Sequence, residues 1–171
     1  YQGLSAPYND PQGLRLKMHF LLKGIRMEMT CLVFPSLKKA LKPKVAVYTT
    51  GGTILSLYDR RTRRVTPKYS GKELLDNVTE LSDSYDIELH EFCNLPGPHL
   101  TPALGLRLAK EVQQALEKKE LSGAVIIQGT DTLEEMSYLF HLLLESPKPV
   151  VFTGAMKSKN EAYADAQGNL A

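Results

Sequence analysis

The sequence predicts an α/β domain, a mostly parallel sheet with helices on both faces. Three observations carry this. From Lys44 onward, short β-branched runs alternate with amphipathic stretches of helix length, the pattern that right-handed βαβ crossovers produce. Each β-branched run is stopped by glycine or a polar cluster. The composition, 43% hydrophobic and 23% charged over 171 residues, is that of an ordinary globular chain with enough material for a core.

The elements follow in order. Val45-Ala46-Val47-Tyr48-Thr49 reads as a strand ending at Gly51-Gly52, since glycines interrupt a β-branched run. Ser70 stands three residues before Glu73, a capping box that opens a helix through Leu74, Leu75 and Val78. Asp86–Phe92 is the second strand. Thr101-Pro102 supplies an N-cap and a first-turn proline, and Leu104, Leu108, Val112 and Leu116 follow at helical spacing. Gly123–Gln128, containing Ala124-Val125-Ile126-Ile127, is a strand expected to be buried on both faces. Thr130-Asp131-Thr132 caps the next helix, whose Leu133, Met136, Phe140, Leu143 and Leu144 are expected in the core. Pro149–Thr153 is the fourth strand, stopped by Gly154.

Charge divides the chain. Residues 1–44 hold eight Lys or Arg and two acids, a net of +6, whereas residues 45–171 carry a net of −4. Such a step marks a boundary. Residues 1–44 are therefore expected to be a basic extension outside the fold, and 45–171 the folded domain. The extension opens with Tyr1 and contains Met18, Met27 and Met29, consistent with upstream sequence or an arm. Lys23 and Arg26 interrupt its apolar stretch and disfavour a signal peptide. The overall balance of +2 gives no reason to expect nucleic acid. Apolar runs of a few residues give none to expect a membrane span. Two cysteines, Cys31 and Cys93, form no framework and favour a reducing compartment. His90, His99 and His141 have no metal-ligand spacing, so no metal or other cofactor is expected, and His141 is read as helix packing.

In parallel sheets ligands bind outside the carboxyl ends of the strands. Those ends are Thr49–Thr53, Asn94–Thr101, Gln128–Thr132 and Thr153–Lys157, which should converge. Thr53 follows a glycine turn that lets the backbone approach a ligand. Gln128-Gly129-Thr130-Asp131-Thr132 opens a helix, where N–H groups favour anions and Asp131 offers an acceptor to an ammonium or amide. Two threonines and a carboxylate at one edge suggest attack on a polar carbonyl, because an activated Thr can form an acyl intermediate. Each piece also has a plain structural reading. Gly51-Gly52 is a turn, Thr130–Thr132 an N-cap, Cys93 a small hydrophobe, and Arg60-Arg61-Thr62-Arg63-Arg64 a solvated loop. The glycines lack the spacing of a dinucleotide fingerprint and no P-loop lysine follows.

Together the motifs are specific. Val47-Tyr48-Thr49-Thr50-Gly51-Gly52-Thr53-Ile54 and Gly129-Thr130-Asp131-Thr132-Leu133-Glu134-Glu135 resemble the two signatures of the bacterial-type L-asparaginase family. Lys148–Lys157 resembles its next block, Asp165 with Asn169-Leu170 the one after, and Asn94–Pro102 the substrate-carboxylate loop. The resemblance spans residues 44–171. It implies the family's Rossmann-like N-terminal domain and hydrolysis of L-asparagine to L-aspartate and ammonia. A cytoplasmic setting is expected from the reduced cysteines, and a homo-oligomer because a domain of this extent leaves a sheet edge or apolar face uncovered. On that model Thr53 is the nucleophile, Thr130 a second hydroxyl in a proton relay, and Asp131 the holder of the substrate ammonium. Gly52, Gly97, Pro98, Gly129 and Ala155 border the substrate, with N–H groups near Thr53 and Ala155 as oxyanion donors. Leu55–Ser70 would be a lid.

The chain also departs from the family pattern. Gly97 stands where many relatives have Ser, Gln128 where His is commoner, and Asp165-Ala166-Gln167 where Asp-Gly-Pro is usual. Val65 occupies the place of the lid tyrosine, leaving Tyr58 or Tyr69 as substitutes. In longer relatives the lysine that pairs with the Thr130–Asp131 region lies beyond the position of Ala171, as does the C-terminal domain. Three readings follow: an asparaginase-type amidohydrolase, a binding-only fragment of the same fold, or the asparaginase-like subunit of a tRNA-dependent amidotransferase. The last is echoed by Arg61-Thr62 with Val65-Thr66-Pro67 and by an N-terminal extension.

Overall fold

A computed structural model describes residues 42–170 in full, and the backbone of residues 14–22 and 25–33 before them. Readings that rest on residues 1–13, 23–24 and 34–41, or on side chains before Lys42 such as Cys31, lie outside the described residues. Contacts divide the chain into Tyr1–Leu41 and Lys42–Ala171. In the first unit, β1 (Leu14–Leu22) and β2 (Ile25–Val33) pair antiparallel from Leu14↔Val33 to Leu22↔Ile25.

The second unit is built on β3 (Lys44–Gly51), whose apolar run is buried from Ala46 onward. After it come the short antiparallel pair β4 (Ser56–Asp59) and β5 (Arg64–Pro67). Two small helices follow, α1 (Gly71–Leu75) and α2 (Thr79–Ser84). The remaining elements are β6 (Asp86–Leu95), α3 (Pro102–Leu116), β7 (Leu121–Ile127), α4 (Leu133–Leu143), β8 (Val150–Thr153) and α5 (Ala166–Leu170). The main sheet has the order β6-β3-β7-β8, and every pairing is parallel.

Side-chain alternation on the strands separates two cores. Ala46, Tyr48, Ala124 and Ile126 meet Leu108, Ala109, Val112 and Leu116 of α3 and Phe140 of α4. Val47 and Ile127 point the other way, toward Ile54, Leu55, Leu74 of α1 and Ala166 of α5. An apolar hollow of about 380 Å³ remains on this second face, lined by residues that include Val45, Val47, Ile87, Val125 and Leu170. At the amino end of the sheet Glu88 bridges Lys118 at 2.9 Å and Lys44 at 3.0 Å. Hydrogen bonds from these two ammonium groups hold its carboxyl down to about 2.

The predicted caps of α1 and α3 are present. Ser70 and Glu73 exchange hydrogen bonds, and the Thr101 side chain accepts from Leu104 N–H. Four expectations need correction. The helix predicted through Val78 ends at Leu75, because the Asn77 carboxamide donates to the Glu73 carbonyl, so a side chain competes for a helix acceptor. Val78, outside helical backbone, buries itself instead and precedes α2. The second strand runs on to Leu95, three residues beyond Phe92, because a register shift between Thr49 and Gly51 lets Gly51 pair with Leu95. Leu143 is exposed rather than in the core: α4 stops there, and Leu144 packs in its place. His141 also faces solvent, its ring 6.4 Å from that of Tyr138.

Candidate active site

Strand order places the crevice. From β3 the chain crosses to β6 on one side, then returns to β7 and β8 on the other, so the carboxyl ends of β3 and β7 flank a topological switch point. The segments leaving those ends meet there. Gly51 and Gly52 have φ of 113° and 87°, values that glycine adopts without the Cβ penalty. A Cβ on Gly52 would lie 2.3 Å from Gly129 Cα, and one on Gly129 would lie 2.9 Å from Gly97 Cα. Three of the four predicted loops therefore touch through main chain. The fourth joins through Gly154, where a Cβ would fall 2.5 Å from the Gln128 carbonyl oxygen and 3.3 Å from the Thr130 methyl.

Each threonine directly follows one of the glycines in contact. Thr53 opens a 3₁₀ turn, Thr53–Leu55, which is closed by Leu55 N–H and Ser56 Oγ donating to the Gly52 carbonyl at 3.2 and 2.8 Å. Ile54 and Leu55 are buried beneath it, whereas Thr53 is half-buried. Thr130 opens a second such turn, Thr130–Thr132, and is also half-buried. Neither hydroxyl-bearing residue is sealed in hydrocarbon. Asp131 is exposed, and its carboxylate leans over Gly97, where a Cβ would meet Oδ2 at 2.5 Å. The missing Ser side chain at position 97 is thus space that Asp131 occupies. Pro98 is exposed and Ala155 buried.

The predicted cap at Thr130–Thr132 is corrected. Thr132 sits at the N-cap of α4 without a side-chain cap bond, and its Oγ donates 3.2 Å across to the Gly97 carbonyl instead. That bridge ties the β6 loop to the β7 loop. It was not assigned from the sequence, because a Thr before a helix reads first as a cap. The late motif has a structural use. Asp165 accepts from Met156 and Lys157 N–H at 3.0 Å each, and Asn169 Nδ2 donates to Asp165 and to the Gly154 carbonyl. These bonds shape the loop carrying Ala155, and the N–H donors hold the Asp165 carboxyl below its usual range.

Two neighbouring polar side chains are wholly or partly withdrawn from solvent. Gln128 is fully buried, its Nε2 3.4 Å from the Gly129 carbonyl and its Oε1 without a partner. Cys93 is half-buried, donates to the Thr50 carbonyl at 3.2 Å, and has its thiol pushed up by burial. Burial and this bond disfavour the thiolate, the form that reacts. Among the described residues no three His, Cys, Asp or Glu side chains are grouped to hold a metal.

The segment Leu55–Ser70 is the β4–β5 hairpin, closed at its base by Lys68 and Tyr69 N–H donating to the Leu55 carbonyl at 3.0 Å each. Val65 is exposed, Tyr58 lies half-buried on β4, and Tyr69 lies under the Lys159 ammonium, 4.4 Å from its ring centre. A cavity of about 560 Å³ beside the hairpin base is lined by Leu55, Pro67, Tyr69, Glu73, Glu91 and Cys93 among others. Neither Thr53 nor Thr130 lines it.

This arrangement can be compared with known proteins. The asparaginase N-terminal family model matches residues 44–171. An L-asparaginase of Bacillus licheniformis is 34% identical over 130 residues, covering 76% of this chain and 40% of its own. A glutamyl-tRNA(Gln) amidotransferase subunit of Archaeoglobus fulgidus is 34% identical over 155 residues, 90% of this chain and 37% of its own. The crystal structure of a probable cytoplasmic L-asparaginase from Campylobacter jejuni superposes with a TM-score of 0.67 at 32% identity, covering 75% of this chain and 38% of that one. The chain spans about two fifths of the length of these relatives. With the family model matched from Lys44 to the last residue, a parallel sheet of the same fold, and both threonine motifs at the switch point, the chain belongs to the asparaginase family, of which it carries the N-terminal domain.

Proposed function

We propose that this domain supplies the nucleophilic half of an amidohydrolase site acting on the side-chain amide of L-asparagine. Thr53 Oγ attacks the amide carbon, forming an acyl intermediate and releasing ammonia, and water then releases L-aspartate. Thr130 passes the proton, and Asp131 accepts the substrate's ammonium. Gly52, Gly97, Pro98, Gly129 and Ala155 border the substrate, and N–H groups near Thr53 and Ala155 receive the developing oxyanion, a contribution of about 3–4 kcal/mol per donor. The observation that carries this reading is the contact of Gly52 with Gly129, since it brings two threonine-bearing turns from distant parts of the chain to one crevice. The same reading includes an appended N-terminal module before Lys44, a cytoplasmic setting and assembly into a homo-oligomer. The experiment is ammonia release from L-asparagine by the parent chain and by Thr53→Ala. Turnover in the parent and none in the variant is expected, and full turnover by Thr53→Ala would refute the nucleophile.

A second reading is favoured by one alignment. The match to the Archaeoglobus amidotransferase leaves only a tenth of this chain uncovered, yet 43 residues precede Lys44, so it necessarily extends into the N-terminal segment. The asparaginase match over 130 residues exceeds residues 44–171 by only two positions, so it need reach no further than that into the segment. The chain would then be the amide-hydrolysing component of a tRNA-dependent amidotransferase, with the same chemistry at Thr53 and the ammonia delivered to a partner. Ammonia release that depends on an added amidotransferase partner would support this second reading, and partner-independent turnover the first.

A further inference from the structure

The β4–β5 hairpin has little to hold it in place. It has four residue pairs, Ser56↔Pro67 to Asp59↔Arg64, and two-stranded ribbons of that size are marginal in water. Its tip carries Arg60, Arg61, Arg63 and Arg64, all exposed, with Arg63 at φ 55°, so like charges crowd the turn. Asp59 Oδ1 accepts from Arg61 and Thr62 N–H at 2.8 and 3.3 Å, which fixes the turn but not the ribbon's place on the molecule. Of its outer strand, Arg64, Val65 and Thr66 are exposed.

The loop after β8 reaches across to it. Asn160 Oδ1 accepts from Tyr58 N–H at 2.9 Å, and Asn160 Nδ2 donates to the Tyr58 carbonyl at 2.7 Å. The carboxamide thus satisfies both main-chain groups of one β4 residue, as a neighbouring strand would, from 102 positions away. Asn160 is itself held in a short turn: Ser158 N–H donates to Glu161 Oε2 at 2.7 Å, and Glu161 N–H to the Ser158 carbonyl at 3.0 Å. Next to it, Lys159 stands over the Tyr69 ring at the hairpin base. On its other side this loop is continuous with Gly154–Lys157, the stretch that Asp165 and Asn169 fasten beside Thr130.

We propose that Asn160 is a positioning residue, which fixes the β4–β5 hairpin to the loop bordering Thr130 and so sets where the hairpin stands relative to that loop. The inference rests on the functional reading only in calling the hairpin a lid. Asparagine is the side chain this geometry requires, since it alone presents a donor and an acceptor side by side at this reach; aspartate supplies only acceptors until it is protonated.

The experiment is site-resolved hydrogen exchange on the full chain, comparing the parent with Asn160→Ala and Asn160→Asp. In Asn160→Ala the protection factor of the Tyr58 amide should fall about 10-fold, the loss of two hydrogen bonds of ordinary net strength, while amides of β7 and α3 keep theirs. Asn160→Asp keeps an acceptor for Tyr58 N–H at pH 7 but sets a carboxylate oxygen against the Tyr58 carbonyl, so its protection should lie between those of the parent and Asn160→Ala, and should recover toward the parent's below about pH 4, where an aspartic acid carries a proton to donate to that carbonyl; Asn160→Ala at the same pH is the control. A general structural role would not give that recovery. Unchanged Tyr58 protection in Asn160→Ala, equal loss throughout the sheet, or no recovery of Asn160→Asp in acid would each overturn the proposal. Ammonia release is assayed on the parent in parallel. Its absence would count against the enzymatic reading and leave the exchange comparison to decide the role of Asn160.

Discussion

The two ends of the main sheet are closed by opposite means. At the amino end Glu88 is shared by the long, partly exposed side chains of Lys44 and Lys118. At the carboxyl end the loops meet through Gly52, Gly129 and Gly97, with main chain against main chain. The first closure depends on charge and tolerates motion; the second depends on the absence of atoms. Substitutions at the carboxyl end should therefore be costly wherever they add volume, and those at the amino end should cost little and depend on pH.

The comparison breaks most directly at Gly52. Gly52→Ala would force a Cβ to 2.3 Å from Gly129 Cα at φ 87°, and overpacking together with backbone strain predicts a loss of about 3 kcal/mol or more, measurable by denaturant melts. Glu88→Gln should cost about 1–2 kcal/mol at pH 7, a figure reduced for the exposure of both lysines. The sign follows from the lowered carboxyl. The stabilisation is complete above the ordinary glutamate range near 4.5, and is lost as pH falls through about 2. The parent's acid melting curve should therefore steepen over that window and the variant's flatten. Thr53→Ala, in contrast, should change stability by less than about 1 kcal/mol, as expected of a half-exposed site, while abolishing turnover. The smallest effect is at Cys93: Cys93→Ala should shift the melt by about 1 kcal/mol or less, and the parent thiol should react with a disulfide reagent slowly until the chain unfolds.

The four strands of the main sheet were legible because β-branched runs and glycine stops are local signals, although the end of β6 at Leu95 depends on a register shift that they do not show. The motifs around Thr53 and Thr130 were legible for the same reason, and the parallel-sheet rule then placed them at one edge. What the sequence concealed depends on pairs of residues far apart. The Thr132 hydroxyl crosses to Gly97, 35 positions away, rather than capping its own helix. Asn160 lies in a polar stretch with no periodicity, and nothing nearby points to Tyr58. The break between α1 and α2 turns on Asn77 taking the Glu73 carbonyl, a competition that apolar spacing through Val78 does not register. Leu143 fits the helical stripe, but the helix ends at that residue.

Because the crevice is framed by main chain at Gly52, Gly129 and Gly97, the spacing between the turns that begin at Thr53 and Thr130 does not depend on the size of any neighbouring side chain. Divergence can then remodel what surrounds that frame, such as the rim at Pro98 and Asp131 or the arginine-bearing tip, without retuning the frame itself. A chemical step kept constant while its choice of amide, or the destination of its ammonia, drifts is what such a construction permits.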